Sequence, residues 1–452
     1  MNDIVQNTRS KYTQGNPGEA QSIATEAAKT ATPEVLLSIG ALAKEFSDFD
    51  TANAAYAQLV NLTPDNPDYR NLYAMTLTQS GAFEAAALQL NAALSANAAH
   101  AHSYFNLSMI HRAAAGDPII AQIEDRLSAE NITPSDNYAY RLALGKFYDD
   151  AGDYDNAFIQ FQNAKQSAKI PYDHAAQQAF FERLKTAFTP DTFKNHAGAG
   201  DPSEAPIFIV GMPRSGSSLV EKLLAQDKRI TALGERVEMT LVIEATVSRQ
   251  EGQEGYLKLL PNMTAAEFAR CGADYCNRLA SLSKGMERFI DKNVLNYLRA
   301  GFINLVLPNA TIIHARRDPI DICLSCYFQT FDPATFPFTF DLADMGKYYA
   351  LYADLMSHWD NVMPDRISHI DYEKVIADPD GSMTKLIDKS KLSTPLQLDS
   401  GNTKNTMIAT SSAWQARQPI YETSIKRWKN YEKHLSTLFE ALEKSGFNYS
   451  GK

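Results

Sequence analysis

At 452 residues the chain has room for two domains, each long enough to bury its own core. Its 53 acidic residues outnumber 43 basic ones; up to residue 196 the balance is 22 to 14 and beyond it 31 to 29, a distribution that argues against nucleic acid as the main partner. Four cysteines supply no disulfide framework, and no stretch approaches the about 20 apolar residues of a membrane span.

The opening Met1-Asn-Asp-Ile-Val-Gln6 has no basic start with an apolar run behind it, so a soluble cytoplasmic protein is expected. Residues 10–31, with Ala20, Ala24, Ala27 and Ala28, predict a capping helix pair or half repeat. Segment 33–66 places Gly40, Ala52, Tyr56 and Pro64 at the eighth, twentieth, twenty-fourth and thirty-second positions of a unit of about 34 residues. Segment 67–100 keeps Ala74, Gly81, Ala86 and Ala93, and segment 138–171 keeps Gly145, Gly152, Ala157, Phe161 and Ala164. Small residues let paired helices approach closely, and aromatics fill the gap between neighbouring units. This pattern resembles the tetratricopeptide repeat, which implies an all-α solenoid over residues 1–195. Segment 101–137 exceeds one unit and contains Gly116-Asp117-Pro118, so a degenerate repeat with a displaced second helix is expected there. Phe180, Phe181 and Phe188, at helical spacing, predict packing of the helical region against the second domain.

The small, Pro/Gly-containing stretch 196–203 reads as the linker. After it, Pro206-Ile-Phe-Ile-Val-Gly211 has the pattern of a buried strand, and Met212-Pro213-Arg214-Ser215-Gly216-Ser217-Ser218 that of a phosphate-cradling turn opening a helix. Gly211 and Gly216 keep the five-residue spacing that lets backbone N–H groups turn onto a phosphate. A nucleoside triphosphatase needs Lys and then Ser/Thr directly after the second glycine, for the outer phosphates and for Mg²⁺. Here Ser217 and Ser218 stand in those places, and the cation is inside the loop as Arg214. A site of backbone amides, hydroxyls and one guanidinium, with no metal, suits a less charged nucleotide than ATP with its magnesium. It also disfavours a P-loop kinase.

Further along, Ala310-Thr-Ile-Ile-His314-Ala-Arg316-Arg317-Asp318-Pro319 predicts an apolar strand ending in paired arginines, with Pro opening the next helix and Ser325 eight residues after Arg317. An Arg at a strand's carboxyl end and a hydroxyl from the next helix converge on one anion at the mouth of an open parallel sheet. Together the two motifs resemble the sulfotransferases. The loop 213–218 corresponds to their 5′-phosphosulfate loop, and Arg317 with Ser325 to their 3′-phosphate site. The donor this implies is 3′-phosphoadenosine-5′-phosphosulfate, with no metal, bound by Pro213, Arg214, Ser215, Gly216, Ser217, Ser218, Arg317 and Ser325. The implied fold is an α/β P-loop-like sulfotransferase domain, a parallel sheet flanked by helices, over residues 204–452.

Other segments fit the same family. Phe289-Ile-Asp291-Lys292-Asn293 stands where its members place a Lys near the transferred group, and Ile370-Asp371-Tyr372-Glu373 with Asp378-Pro379 resembles a late strand and turn of structural role. Thr410-Ser411-Ser412-Ala-Trp414-Gln-Ala-Arg417 and Lys426-Arg427-Trp428 resemble the closing segment of bacterial sulfotransferases that carry tetratricopeptide repeats. By likeness to the tyrosylprotein sulfotransferases, Ser411 and Arg417 would also reach the donor. In Gly234-Glu235-Arg236-Val-Glu238, a segment similar to their GEE motif, strict pairing would put Arg236 on the catalytic Glu, and an extra residue in the preceding loop leaves that register open; Glu235 is taken as the candidate general base, with Glu238 and then Asp291 in reserve. The base of the cytosolic branch, a His two residues after the Lys, is replaced by Val294.

The chemistry the resemblance implies is sulfuryl transfer to a hydroxyl or amine, with Arg214 and Lys292 stabilising the leaving oxygen and Glu235 taking the proton. The acceptor stays open among peptide or protein, carbohydrate and small molecule, with the repeats as a groove that a peptide or protein could occupy. The alternative function is a repeat-based scaffold whose donor fold is catalytically silent; intact donor residues favour the enzyme. Cys323 and Cys326, like Cys271 and Cys276, lack a His at ligand spacing and are expected to be packing residues, as is the strand residue His314.

Overall fold

The computed structural model describes residues 2–246, 255–283, 285–389 and 424–447. Twelve helices fill the stretch from Asn2 to Asn195 as a succession of hairpins, consistent with a repeat solenoid. Pro33–Glu45 pairs with Phe49–Leu62, Pro67–Ser80 with Phe83–Ala96, and Pro134–Asp150 with Tyr154–Ala168. Prolines occupy first turns, where no N–H is needed, and the Asp48, Asn66 and Asp153 side chains accept from Thr51, Tyr69 and Asn156 N–H groups to close helix starts. The small positions have a direct steric cause. A Cβ on Gly40 would lie 2.4 Å from the Tyr56 ring, and one on Gly145 would lie 2.9 Å from Phe161. Between these hairpins, helix Ala101–Ser108 stops after eight residues, and Gly116, at φ +82°, precedes the Asp117-capped helix Pro118–Leu127.

Segment 196–203 is packed rather than a free tether. Asp201 N–H donates to Val306 O at 2.9 Å, and a Cβ on Gly200 would come within 2.3 Å of Leu305 O. Ahead of it, Phe181 meets Tyr348 and Phe188 meets Trp359, at ring separations of 5.9 and 5.5 Å.

Among the described residues the second half holds five parallel strands, β1 (Pro206–Gly211), β2 (Ile230–Ala232), β3 (Arg288–Asp291), β4 (Thr311–Arg316) and β5 (Ile367–Asp371), in the order β2-β3-β1-β4-β5. β1 is buried along its whole length, as an unbroken apolar run in the middle of a helix-covered parallel sheet must be. Register sets Phe208 beside Asp291, Gly211 beside Ala315 and Arg316 beside Asp371. The chain leaving β1 turns toward β2, whereas the chain leaving β4 turns toward β5. A crevice therefore opens between the carboxyl ends of β1 and β4, which is where such sheets hold ligands.

His314 sits in the core, with Nδ1 3.0 Å from His369 Nδ1 and Nε2 against the Tyr352 hydroxyl. Burial holds its pKa well below the ordinary value, so it is a neutral structural residue. All four cysteines are free, and among the described residues no group of three or more His, Cys, Asp or Glu could hold a metal. Among the described residues no helix is long and apolar enough to cross a membrane.

Candidate active site

The loop leaving β1 bends through two left-handed residues, Arg214 at φ +68° and Gly216 at φ +91°. Such a bend turns successive N–H groups to one side and makes an anion-binding concavity, with helix Ser217–Leu224 adding its positive end. Two contacts explain the glycines: a Cβ on Gly211 would lie 2.6 Å from Ala315 O, and one on Gly216 would lie 2.4 Å from the Tyr372 ring. Ser215, Ser217 and Ser218 are all buried, and the Ser215 hydroxyl is without a hydrogen-bond partner among the described residues.

Across the crevice, β4 delivers two arginines with different fates. Arg316 turns outward to Asp371 at 2.7 Å. Arg317 turns in: its guanidinium lies 4.9 Å above the Tyr372 ring and donates to Arg214 O at 3.2 Å and to Ser424 O at 2.5 Å, with Asp321 3.7 Å away. Its Nε is buried without a partner among the described residues. Helix Pro319–Phe328 carries Ser325, whose Oγ accepts from Arg214 Nε at 2.9 Å. The two sequence motifs, about a hundred residues apart, thus meet in one place. Two buried donors there, Ser215 Oγ and Arg317 Nε, leave hydrogen-bonding capacity that an anion would satisfy.

The third element is the turn after β2. Gly234, at φ +73°, hands the chain to Glu235, whose Oε1 accepts from Lys292 Nζ at 2.7 Å. Lys292 is 1% exposed and Glu235 47%, so the pair presents its carboxylate outward and hides its cation. The reserve carboxylates are committed elsewhere. Glu238 forms a buried ion pair with Arg236, which also donates to Phe46 O in the helical region at 3.2 Å. Asp291 accepts from Tyr275 OH at 2.8 Å, Asn293 N–H at 2.9 Å and Asn296 Nδ2 at 3.2 Å, and burial pushes its pKa up to about 6 against those donors.

Some residues at the site were not found from sequence. Glu221, on helix Ser217–Leu224, is buried; its Oε1 accepts from Gly234 N–H at 3.0 Å, and burial raises its pKa to about 7 against the pull of Lys292. It ties the turn that carries Glu235 to the helix behind the anion loop. Asp321 accepts from Lys426 N–H at 2.7 Å and Trp428 N–H at 3.0 Å, fastening the C-terminal segment beside Arg317. The one available signal was a carboxylate in a helix with several apolar residues, Glu221 between Val220 and Lys222 and Asp321 between Ile320 and Ile322. Ser411 and Arg417 lie outside the described residues.

The helical region reaches the site at both ends. Ser47 Oγ donates to Glu235 O at 3.2 Å. Far along the chain, Lys165 donates to Gln329 O at 2.6 Å, Phe161 stacks on Phe328 at 4.2 Å, and Asp149 pairs with Arg427 and accepts from Tyr431 OH at 2.5 Å.

Residues 206–395 match the family model described as Sulfotransferase family. An uncharacterized protein of Aquifex aeolicus (strain VF5) is 29% identical over 346 residues, covering 73% of this chain and 44% of its own, so the chain spans less than half the length of that relative. Among solved structures, the sulfotransferase domain of the Synechococcus PCC 7002 olefin synthase is 18% identical at a TM-score of 0.36, covering 55% of this chain and 96% of that one. Sulfotransferase STF9 from Mycobacterium avium is 16% identical at a TM-score of 0.33, with coverage of 75% and 98%. Retinol dehydratase in a complex with retinol and PAP is 13% identical at 0.32, with coverage of 58% and 87%. The family match is thus to residues 206–395, the stretch that holds the parallel sheet and the crevice between β1 and β4.

Proposed function

We propose that this chain is an enzyme that moves a sulfuryl group from 3′-phosphoadenosine-5′-phosphosulfate to an acceptor hydroxyl or amine. The observation that carries the proposal is the meeting of the Arg214–Gly216 bend with Arg317 and Ser325 at the β1/β4 crevice, with buried Ser215 Oγ and Arg317 Nε still able to donate. One side fits the 5′-phosphosulfate and the other the 3′-phosphate. Pro213, Ser217 and Ser218 complete the loop side, and Ser411 and Arg417 are assigned to the donor by family likeness.

The acceptor oxygen or nitrogen attacks sulfur, a new bond to sulfur forms, and the bridging sulfur–oxygen bond breaks with its electrons going to the departing adenosine bisphosphate. Arg214 and Lys292 face the charge that grows on that oxygen, a stabilisation worth more in a dry site than in water. Glu235 takes the acceptor's proton. No step needs a metal. A peptide or protein acceptor belongs to this proposal alongside smaller ones.

The test is a comparison of two ligands on one variant. Arg317→Ala should weaken 3′-phosphoadenosine-5′-phosphate by roughly ten- to a hundredfold, the loss of a charge-assisted contact of about 1.5–3 kcal/mol, and should weaken adenosine-5′-phosphate less. Calorimetry measures both. Equal losses would make Arg317 a support for Tyr372 and the 424–428 segment instead of a reader of the 3′-phosphate.

A further inference from the structure

In the hairpins that begin at Pro33, Pro67 and Pro134 the chain leaves the first helix through a left-handed residue, and the next N–H bonds back into the last turn: Asp48 N–H to Ala43 O and Ala82 N–H to Leu77 O, both at 2.8 Å, and Asp153 N–H to Tyr148 O at 2.9 Å. Two of the left-handed residues are glycines, Gly81 at φ +85° and Gly152 at φ +80°, as that conformation favours. The third is Ser47, at φ +58°. A side chain there strains the backbone, and strain of this kind collects where a contact serves function. The Ser47 hydroxyl makes such a contact, donating to Glu235 O at 3.2 Å. We infer that Ser47 is a positioning residue for the general base, and that through it the turn Phe46–Asp48 of the helical region sets the direction of the Glu235 carboxylate; this rests on the sulfotransferase reading above.

The two regions are joined at this turn by more than one bond. Arg236 Nη1 donates to Phe46 O at 3.2 Å, and Val237 and Leu241 pack against an apolar cluster of Tyr12, Ala20, Leu42 and Phe46, in which the Tyr12 and Phe46 rings stack at 4.7 Å. From the opposite side the same stretch is fixed by the sheet domain: Gly234 N–H donates to Glu221 at 3.0 Å, Asn293 Nδ2 to Arg236 O at 2.8 Å, and Lys292 Nζ to the Glu235 carboxylate at 2.7 Å. Glu235 is thus held by its side chain from the end of β3 and by its main chain from the helical region. Nearly half of that side chain is exposed, so its own packing does little to fix the carboxylate, and a proton acceptor displaced by a fraction of an ångström loses rate. A hydroxyl on the Glu235 carbonyl steadies the residue without touching the group that does the chemistry. The first full hairpin of the helical region is then a working part of the active site, and its departure from glycine at this one turn has a cause.

The test sets Ser47→Gly beside Ser47→Ala in the full chain. Both lack the hydroxyl, but glycine relieves the left-handed backbone and alanine does not. Transfer of label from sulfur-labelled 3′-phosphoadenosine-5′-phosphosulfate into an extract of the source cells should fall by ~3-fold or more in both, with affinity for 3′-phosphoadenosine-5′-phosphate held within ~2-fold. The melting temperature of Ser47→Gly should be unchanged or higher, which separates its loss of rate from any loss of fold. In a Glu235→Gln background either change should alter the remaining rate by less than ~2-fold, because the group that Ser47 positions is already gone. A fall below ~3-fold in Ser47→Gly, a rate that follows melting temperature instead of the hydroxyl, an undiminished fall in the Glu235→Gln background, or a parallel loss of bisphosphate affinity overturns the inference and leaves the donor assignment standing. No transfer by the unaltered chain would instead remove the sulfotransferase reading, and the role of Ser47 with it.

Discussion

Glu235→Gln is expected to lower turnover by ~10²–10⁴-fold while leaving affinity for 3′-phosphoadenosine-5′-phosphate nearly unchanged. The amide keeps the length of the side chain and can still accept from Lys292 Nζ, now 2.7 Å from the carboxylate, so the turn after β2 keeps its anchor. Only the ability to take a proton is lost. Glu238→Gln gives the contrast. It removes the charge opposite Arg236 in a buried pair that also reaches Phe46 O, so it should lower thermal stability and leave turnover per folded molecule within a fewfold. Steady-state rates with excess acceptor, read beside bisphosphate titrations, separate the two. If turnover tracks Glu238 and not Glu235, the base has been misassigned. If it tracks neither, Asp291 is the next carboxylate, although its four donors, the Arg236 N–H among them, and its burial already give it a structural occupation.

The second large effect is expected at Lys292. Lys292→Met preserves the length and apolar stem of a side chain that is 1% exposed and removes the ammonium alone. Loss of one preorganised donor to a developing oxyanion typically reduces turnover by ~10²–10³-fold. The same change strips Glu221 of the cation that opposes its rise in pKa, so Glu221 becomes more readily protonated and Glu235 loses its partner. Arg214→Met would lower bisphosphate affinity as well as turnover. On the proposed mechanism Lys292→Met should spare affinity, with Lys292 acting on the leaving oxygen and the loop holding the phosphate. Turnover within ~3-fold of the unaltered enzyme would place Lys292 outside the chemistry.

Local sequence carried the strand, the bend and the helix start, because each depends on residues adjacent in the chain: an unbroken apolar run into Gly211, two glycines at turn spacing, a helix opened at Ser217. The Arg317–Ser325 spacing was legible for the same reason. The small residues of the hairpins were legible as a period, and Gly40 against Tyr56 shows the steric cause of it. What sequence could not supply were partners far apart in the chain. Nothing near Glu221 in sequence points to Gly234 or Lys292, nothing near Asp321 points to the N–H groups of Lys426 and Trp428, and nothing in segment 138–171 announces that Asp149 holds Arg427. Register after Gly234 was undecidable from residue order alone. In the fold, Glu235 turns to Lys292 while Arg236 and Glu238 turn to each other and to the helical region. The expectation of a plain linker at 196–203 missed the packing of Gly200 and Asp201 on the 300–306 helix, because small residues serve close packing as well as loose chain.

The most direct test of the donor site is calorimetry of the full chain with 3′-phosphoadenosine-5′-phosphate in the presence of a chelator, set beside ATP with Mg²⁺. The missing Walker Lys, the left-handed bend at Arg214 and the Arg317–Ser325 pair predict a clear heat for the bisphosphate without metal and weaker binding of ATP. Stronger binding of ATP with Mg²⁺, or no heat from the bisphosphate, would contradict the assignment of this crevice to a sulfuryl donor.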